Sequence, residues 1–339
     1  MAYKKIKIAN LLSEFAASEN ASDNVAQNAN LRAFKVLMNA LGVSMSEAQR
    51  LIDKGRLFCN GEVVSAKNEI LRGEIELISY ENAPCGQKPI FDNQNFAVFD
   101  KQSGILSHPN GRNCAYSLCD EIWHLYGAQA GVAHRLDRET SGLILVAKDK
   151  KTQTIFKTLF EKRLVKKEYL ALVSGQTPLE FSVDLPMNSA CDEVKTRMRL
   201  CPLSEGGKEA RTEFKRLCYF SEQDLLNLSR EIQLGKGFDF SKGASLLLAR
   251  PLTGRQHQIR LHLFASGFAI LGEPLYGLEK ADIERILDKQ MSAFERVSLT
   301  GATRLCLHSN RLAFEFGGKS YDILSQRDIR AEFLRALSL

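Results

Sequence analysis

No apolar run in this chain approaches the roughly 18 residues that a membrane-spanning helix needs. The longest, such as Leu143-Ile144-Leu145-Val146-Ala147, stop at five. The start, residues 1–7, is basic but leads into Asn/Ser/Ala-rich sequence instead of an apolar signal core. Secretion and membrane insertion are therefore not expected, and a cytoplasmic location is. No C-x-x-C pair occurs among the eight cysteines. Cys114 and Cys119, the closest two, have no nearby His or Cys to complete a zinc set. Reduced thiols used as small hydrophobes fit this pattern, and no metal is expected. A G-x-G-x-x-G loop is missing too, as is any regular helix–strand alternation of the Rossmann kind.

What is present is a chain of 339 residues, 44% hydrophobic and 25% charged. That is too apolar for a disordered chain, and the length suggests about two domains. The net charge of +6 is a weak pointer to an anionic partner. Its placement says more. Residues 145–170 hold eight Lys/Arg against three Asp/Glu, and residues 249–262 hold three Arg and no acid. Such runs are usually solvated faces. Two of them beside polar motifs point to a phosphate backbone as ligand.

Residues 1–30 read as a partly flexible leader, poor in large apolar groups, with a short helix expected around 8–15. Residues 31–82 read as a compact module. Phe34, Leu37, Met38 and Leu41 fall at helical spacing, with Gly42 as the stop. A second helix is expected from Ser46, with Gln49 completing a capping box, up to Gly55. Asn60-Gly61 between short apolar runs predicts a hairpin, because both turn residues must tolerate positive φ. Leu77 and Ile78 suggest a closing strand. Residues 83–90, with Pro84, Gly86 and Pro89, read as a linker to a larger domain over 91–339. There, 96–99, 142–147, 169–173, 212–217 and 245–248 read as strands. Thr152, Ile155, Phe156, Leu159 and Phe160 trace one face of a helix. The pattern predicts an α+β fold: a large mixed, mostly antiparallel sheet flanked by helices and loops, beside a small α/β N-terminal module. Residues 219–243 read as an insertion between two strands.

Three stretches carry chemistry. In Gly131-Val132-Ala133-His134-Arg135-Leu136-Asp137-Arg138-Glu139-Thr140-Ser141-Gly142, a carboxylate stands between two arginines, ahead of small turn formers. This predicts a loop that keeps Asp137 ionised, with a salt-bridged structural loop as the alternative. In Pro251-Leu252-Thr253-Gly254-Arg255-Gln256-His257-Gln258-Ile259-Arg260-Leu261-His262, Thr253-Gly254 ends a strand and opens a helix. Polar, basic residues at that start suit phosphate or carboxylate, and an exposed basic helix is the alternative. His257 and His262 are five apart and do not face one site as zinc ligands would. The third stretch, Lys166-Lys167-Glu168-Tyr169-Leu170-Ala171-Leu172-Val173-Ser174-Gly175, is strand-like. Its tyrosine, taken alone, reads as a core residue with a satisfied hydroxyl.

Together these stretches resemble the motifs of the RluA-type pseudouridine synthases. The family loop H-R-L-D-x-x-T-S-G is present at every fixed position over 134–142. The alternating Tyr, Ala, Val and Gly of its strand motif resemble Tyr169, Ala171, Val173 and Gly175, and G-R-x-H-Q-I-R-x-H is matched in full over 254–262. Gly272-Glu273-Pro274-Leu275-Tyr276-Gly277 is similar to the loop that usually follows. One departure stands at Lys101-Gln102-Ser103-Gly104, where the family has K-P-x-G; a looser turn is expected there. Residues 31–80 separately resemble the S-four-like RNA-binding module through Ala48, Ile52, Gly55, Asn60-Gly61 and Val64.

The resemblance implies isomerisation of uridine to pseudouridine within RNA: the carbon–nitrogen glycosidic bond breaks, the uracil turns without leaving, and a carbon–carbon bond forms. No redox change, hydrolysis or group donor is involved, so no cofactor is implied. Asp137 would be the essential carboxylate, attacking the ring or the anomeric carbon or abstracting a sugar proton. Arg260 would pair with it, and Tyr169 would pack on the uracil. Arg135 would help displace the base. His134, Arg138, Thr140, Arg255, His257, Lys166, Lys167, Lys54 and Arg56 are the other expected RNA contacts. Large-subunit ribosomal RNA is the implied substrate, with transfer RNA as the alternative, and a monomer is expected. Two other readings compete: a non-catalytic RNA-binding ribosome assembly factor, and a carboxylate-based glycosidase acting on nucleic acid. The second needs admitted water and a second positioned acid, and none stands inside these motifs.

Overall fold

The computed structural model describes residues 3–8, 32–80, 83–109, 116–190, 194, 197–229 and 238–338. The chain divides into two compact units, Met1–Ala83 with Asn110–Tyr116, and Pro84–Pro109 with Ser117–Leu339.

In the first unit, β1 (Tyr3–Lys7), α1 (Ala33–Leu41), α2 (Met45–Asp53), β2 (Leu57–Cys59), β3 (Glu62–Val63) and β4 (Ile75–Tyr80) follow one another. The strands form an antiparallel sheet in the order β1-β4-β2-β3. Its core is Ile8, Ala33, Val36, Leu37, Ala48, Ile52, Leu57, Val64, Leu71 and Leu77. Helix α1 ends at Gly42, left-handed at φ 61. Helix α2 starts two residues before the expected frame. Ser44 is its N-cap and Glu47 closes the capping box. The Asn60-Gly61 turn has φ of 51 and 83, the double positive that this hairpin type demands. Strand β1 lies where a leader was expected. Its alternating Lys5, Ile6, Lys7 pairs with the edge of β4, Lys5 bonds Glu76 at 2.7 Å, and Ile8 is buried. The rest of the helix expected around 8–15 lies outside the described residues.

The second unit contains β5 (Phe91–Asp92), β6 (Phe96–Lys101), α3 (Leu118–Tyr126), β7 (Gly131–Val132), β8 (Ser141–Ala147), α4 (Lys150–Glu161), β9 (Lys166–Ser174), β10 (Glu180–Asp184), β11 (Met187–Ser189) and β12 (Met198–Leu200). It continues with β13 (Arg211–Phe220), α5 (Glu222–Ser229), β14 (Ala244–Pro251), α6 (Gln258–Ala265), α7 (Lys280–Leu287), α8 (Ala293–Thr300), β15 (Leu307–Phe316), β16 (Lys319–Leu324) and α9 (Ile329–Ala336). The large sheet runs β10-β13-β14-β9-β15-β8-β6-β5, with β16 on β15 and β7 on β8. Among the described residues every pair is antiparallel except β15 with β8. The expected mixed, mostly antiparallel sheet is therefore what forms. Residues 221–243 connect the adjacent strands β13 and β14, with α5 in the connection.

The sheet is covered on both faces, and strand periodicity explains how. In β8, Ile144 and Val146 join one core, while Leu143, Leu145 and Ala147 join the other. The first core also takes Leu118 and Ile122 of α3, Ile259 and Leu263 of α6, and Phe333 of α9. The second takes Phe156 of α4 with Leu312 and Phe314 of β15. A strand buried on both sides reads as an unbroken apolar run, which is why 143–147 shows no alternation. Where β15 crosses beside β8, Gly142 has φ 110, and a Cβ there would lie 2.3 Å from the Ser309 carbonyl oxygen.

Candidate active site

The loop between β7 and β8 carries Asp137, and segment 101–107 fixes it by hydrogen bonds to its backbone. Lys101 Nζ donates to the carbonyls of Gln102 (3.0 Å), Ile105 (2.8 Å) and Arg138 (3.2 Å). Gly104 N–H donates to the Arg138 carbonyl at 2.8 Å, and Ser103 Oγ to that of Glu139 at 2.6 Å. Ser107 Oγ donates to the Leu136 carbonyl and accepts from its N–H. The Lys101-Gln102-Ser103-Gly104 turn, expected to be looser for want of a proline, is thus tied directly to the loop. Burial pushes the Lys101 pKa down to about 7, against the pull of Asp137 and Glu139.

Arg260 reaches the same place from the first turn of α6. Its Nη1 donates to Asp137 Oδ2 at 3.0 Å. Its Nε and Nη2 hold both oxygens of Glu273, the first at 2.8 Å, and its guanidinium lies 5.6 Å from the centre of the Tyr276 ring. The Arg260 and Glu273 side chains are 3% and 4% exposed, whereas that of Asp137 is 26% exposed. Asp137 is therefore the carboxylate open to solvent, and Glu273 is sealed behind Arg260.

Burial raises the Asp137 pKa, but the nearby charges of His257, Arg260 and Lys101 outweigh it, and the net direction is down. His257 contributes only when protonated. Burial and Arg260 push its own pKa down to about 4, so near neutral pH the work falls to Arg260. His257 caps α6 in the left-handed region at φ 55, an uncommon conformation for a residue with a Cβ. That turn sets its Nε2 3.7 Å from Asp137 Oδ2 and its Nδ1 3.2 Å from the Tyr276 hydroxyl.

Tyr169 is buried on β9, directly across from Ser309 of β15 and Ala249 of β14. Burial pushes its phenol up to about 12, and the Asp137 charge adds to the rise, which places the two groups in one electrostatic neighbourhood. Lys167, two residues along the same face of β9, is half-buried. Its Nζ donates to the Thr253 carbonyl at 3.4 Å, it has no ion pair among the described residues, and burial pushes its pKa down to about 8. Of the expected catalytic residues, Asp137 and Arg260 are therefore joined by a hydrogen bond, and Tyr169 lies within reach of the Asp137 charge.

The other expected contacts separate. Arg135 is exposed, and its guanidinium has no bond among the described residues. Lys166 is exposed as well. His134 is turned inward instead: its Nε2 accepts the Leu145 N–H at 3.1 Å, and burial pushes its pKa down to about 3. Arg138 Nη2 donates to the Leu287 carbonyl at 3.0 Å, and Thr140 is buried with its N–H on the Asp137 carbonyl. His134 and Thr140 thus brace the loop, while Arg138, about as exposed as Asp137, is tied to Leu287. Arg255 Nε donates to the Glu209 carbonyl at 3.0 Å. In the first unit Lys54 is exposed, and its pKa is lowered by burial and by the charges of Arg56 and Arg50. Sequence reasoning gave no role to Lys101, Glu273 or Tyr276. Their placement within the two quoted loop motifs was the available signal.

A family model described as RNA pseudouridylate synthase matches residues 95–265, and one described as S4 domain matches residues 31–75. The chain is 34% identical to an "Uncharacterized RNA pseudouridine synthase" of Helicobacter pylori, over 91% of this chain and 94% of that protein. It is 29% identical to "Ribosomal large subunit pseudouridine synthase D" of Nitrosomonas europaea, over 68% and 62%. It is 31% identical to "tRNA pseudouridine(32) synthase, mitochondrial" of Saccharomyces cerevisiae, over 67% and 46%.

Proposed function

The chain belongs to the RNA pseudouridine synthase family, RNA isomerases, and from that premise we propose that Asp137 is its essential carboxylate and that its targets are uridines of structured large-subunit ribosomal RNA. The observation that carries the first part is the Asp137–Arg260 hydrogen bond at 3.0 Å, with the Asp137 side chain partly exposed.

An ionised, aimed carboxylate answers what the isomerisation asks for. The bond from uracil N1 to ribose C1′ breaks, C5 takes its place, and the C5 proton is lost while N1 gains one. Asp137 supplies the acidic side chain on which bond cleavage depends, kept charged by Arg260. Tyr169 offers a flat apolar ring to hold the uracil once it is detached. Arg135, exposed and without a bond among the described residues, is free to enter the space of an extruded base, whose removal from the stack costs a few kcal/mol. Lys167, a half-buried cation beside Tyr169 with no acid partner among the described residues, suits the target nucleotide's phosphate.

For the substrate, the relative from Nitrosomonas europaea carries a ribosomal name, and the S4 match supports a second RNA-holding unit. Chemical mapping of pseudouridine in total RNA, from cells with and without the gene, tests this. Loss of a modification in large-subunit ribosomal RNA is expected; loss in transfer RNA alone would overturn the substrate. Purified Asp137→Asn is expected to bind RNA and form no product, and turnover by that variant would overturn the carboxylate assignment.

A further inference from the structure

We infer that Glu273 is a positioning residue for the isomerisation: by occupying the two-toothed edge of the Arg260 guanidinium, it limits Arg260 to one hydrogen bond with Asp137 and keeps Asp137 Oδ1 open to the substrate. The inference rests on Asp137 being the essential carboxylate, as proposed above.

A guanidinium and a carboxylate left to themselves favour a fork, with both oxygens taken. Here Glu273 takes that fork through Nε and Nη2, and Asp137 receives only Nη1, on Oδ2. Asp137 Oδ1 has no hydrogen bond among the described residues, so one lone-pair edge of the reacting group is left unengaged. The charges tell the same story. One guanidinium between two carboxylates leaves a surplus negative charge. Glu273 is sealed and takes two of the guanidinium's donors, and Asp137, the exposed member, receives one. Arg260 thus holds the carboxylate ionised without fully neutralising it.

The loop that carries Glu273 is built for this placement. Glu273 Oε1 also accepts the Leu275 N–H at 2.9 Å, which sets the plane of the carboxylate. Gly272 has φ 79, and a Cβ there would come within 1.8 Å of the Arg304 carbonyl oxygen, so the chain can enter the loop only through glycine. Three residues on, Tyr276 lays its ring against the same guanidinium and its hydroxyl on His257. Glu273, at 4% exposure, cannot touch an RNA. It acts through Arg260, and it is not the second working acid that a glycosidase would require.

The test is steady-state turnover of an RNA substrate by the full chain. Glu273→Gln removes the charge and the fork, freeing Arg260 to clamp both Asp137 oxygens. Its kcat is expected to fall about tenfold or more, with KM changed less than about threefold. Glu273→Asp keeps the charge but draws the guanidinium back, and an intermediate fall in kcat is expected. In an Arg260→Lys background, which has no fork to redirect, adding Glu273→Gln is expected to cost little more. Wild-type kcat in Glu273→Gln, a change confined to KM, or a full multiplicative loss on Arg260→Lys would overturn the inference. If Glu273→Gln does not fold, Glu273→Asp decides: a kcat within about twofold of wild type overturns it. Activity in Asp137→Asn would instead overturn the underlying assignment, whatever Glu273 does.

Discussion

Arg260 Nη1 lies 3.0 Å from Asp137 Oδ2 although 123 positions of chain separate the two residues. Strand β14 and the turn at 253–257 deliver one, and the β7–β8 loop delivers the other. Between them the pair joins the parts of the unit that must be in register for the site to exist.

Arg260→Lys keeps a positive charge but cannot hold Glu273 by two hydrogen bonds and reach Asp137 at once. A folded protein with kcat down about tenfold or more is expected. Arg260→Ala goes further. It strands a sealed Glu273 carboxylate, and loss of one partner of such a buried pair costs about 3–5 kcal/mol, so a lower melting temperature should accompany lost turnover. Kinetics and a thermal melt on both variants check this; near-normal kcat in either would sever Arg260 from the reaction.

Tyr169→Phe keeps the ring, whereas Tyr169→Ala also opens a core cavity costing about 3–5 kcal/mol. If the ring confines the uracil, Phe retains clearly more kcat than Ala. Equal losses would transfer the role to the hydroxyl. With the phenol pushed up to about 12, no decline in activity from its ionisation is expected between pH 7 and 10.

Arg135→Ala removes an exposed side chain that the fold does not use, so its melting temperature should match wild type. Turnover on structured RNA should fall, and fall less on an RNA whose target uridine is already unpaired, because the extrusion cost is then absent. An equal loss on both RNAs would rule out a part in extrusion.

Lys101 gives up its proton near pH 7 in the folded chain, whereas an unfolded chain holds it to about 10.4. Between those values the unfolded state binds more protons, so this group makes stability rise with pH across the window. Chemical denaturation from pH 7 to 10 should show a less positive slope for Lys101→Met than for wild type. Parallel curves would mean that the lysine stays charged on its three carbonyls.

Local signals were legible where one interaction decides the outcome. Asn60-Gly61 announces its turn because few residue pairs accept φ of 51 and 83. The alternating faces of β8 were hidden, because a strand buried on both sides shows no alternation. Ser44 with Glu47 and Ser46 with Gln49 offer overlapping capping frames, and the folded chain takes the first. Strand β1 carries no clear local signal, because a five-residue segment gains its order from the β4 edge it joins.

The sequence alone determined the chemistry on offer: the order and spacing of the Asp137, Tyr169 and Arg260 motifs, and a mostly antiparallel sheet to carry them. Tertiary structure decided which neighbours each charge has. It turned His134 and Thr140 inward, tied Arg138 to Leu287, left Arg135 outside, and set Glu273 opposite Asp137 across one guanidinium. The reason is physical. Ionisation and hydrogen bonding depend on distance and burial in space, and chain spacing carries neither until the strands are paired.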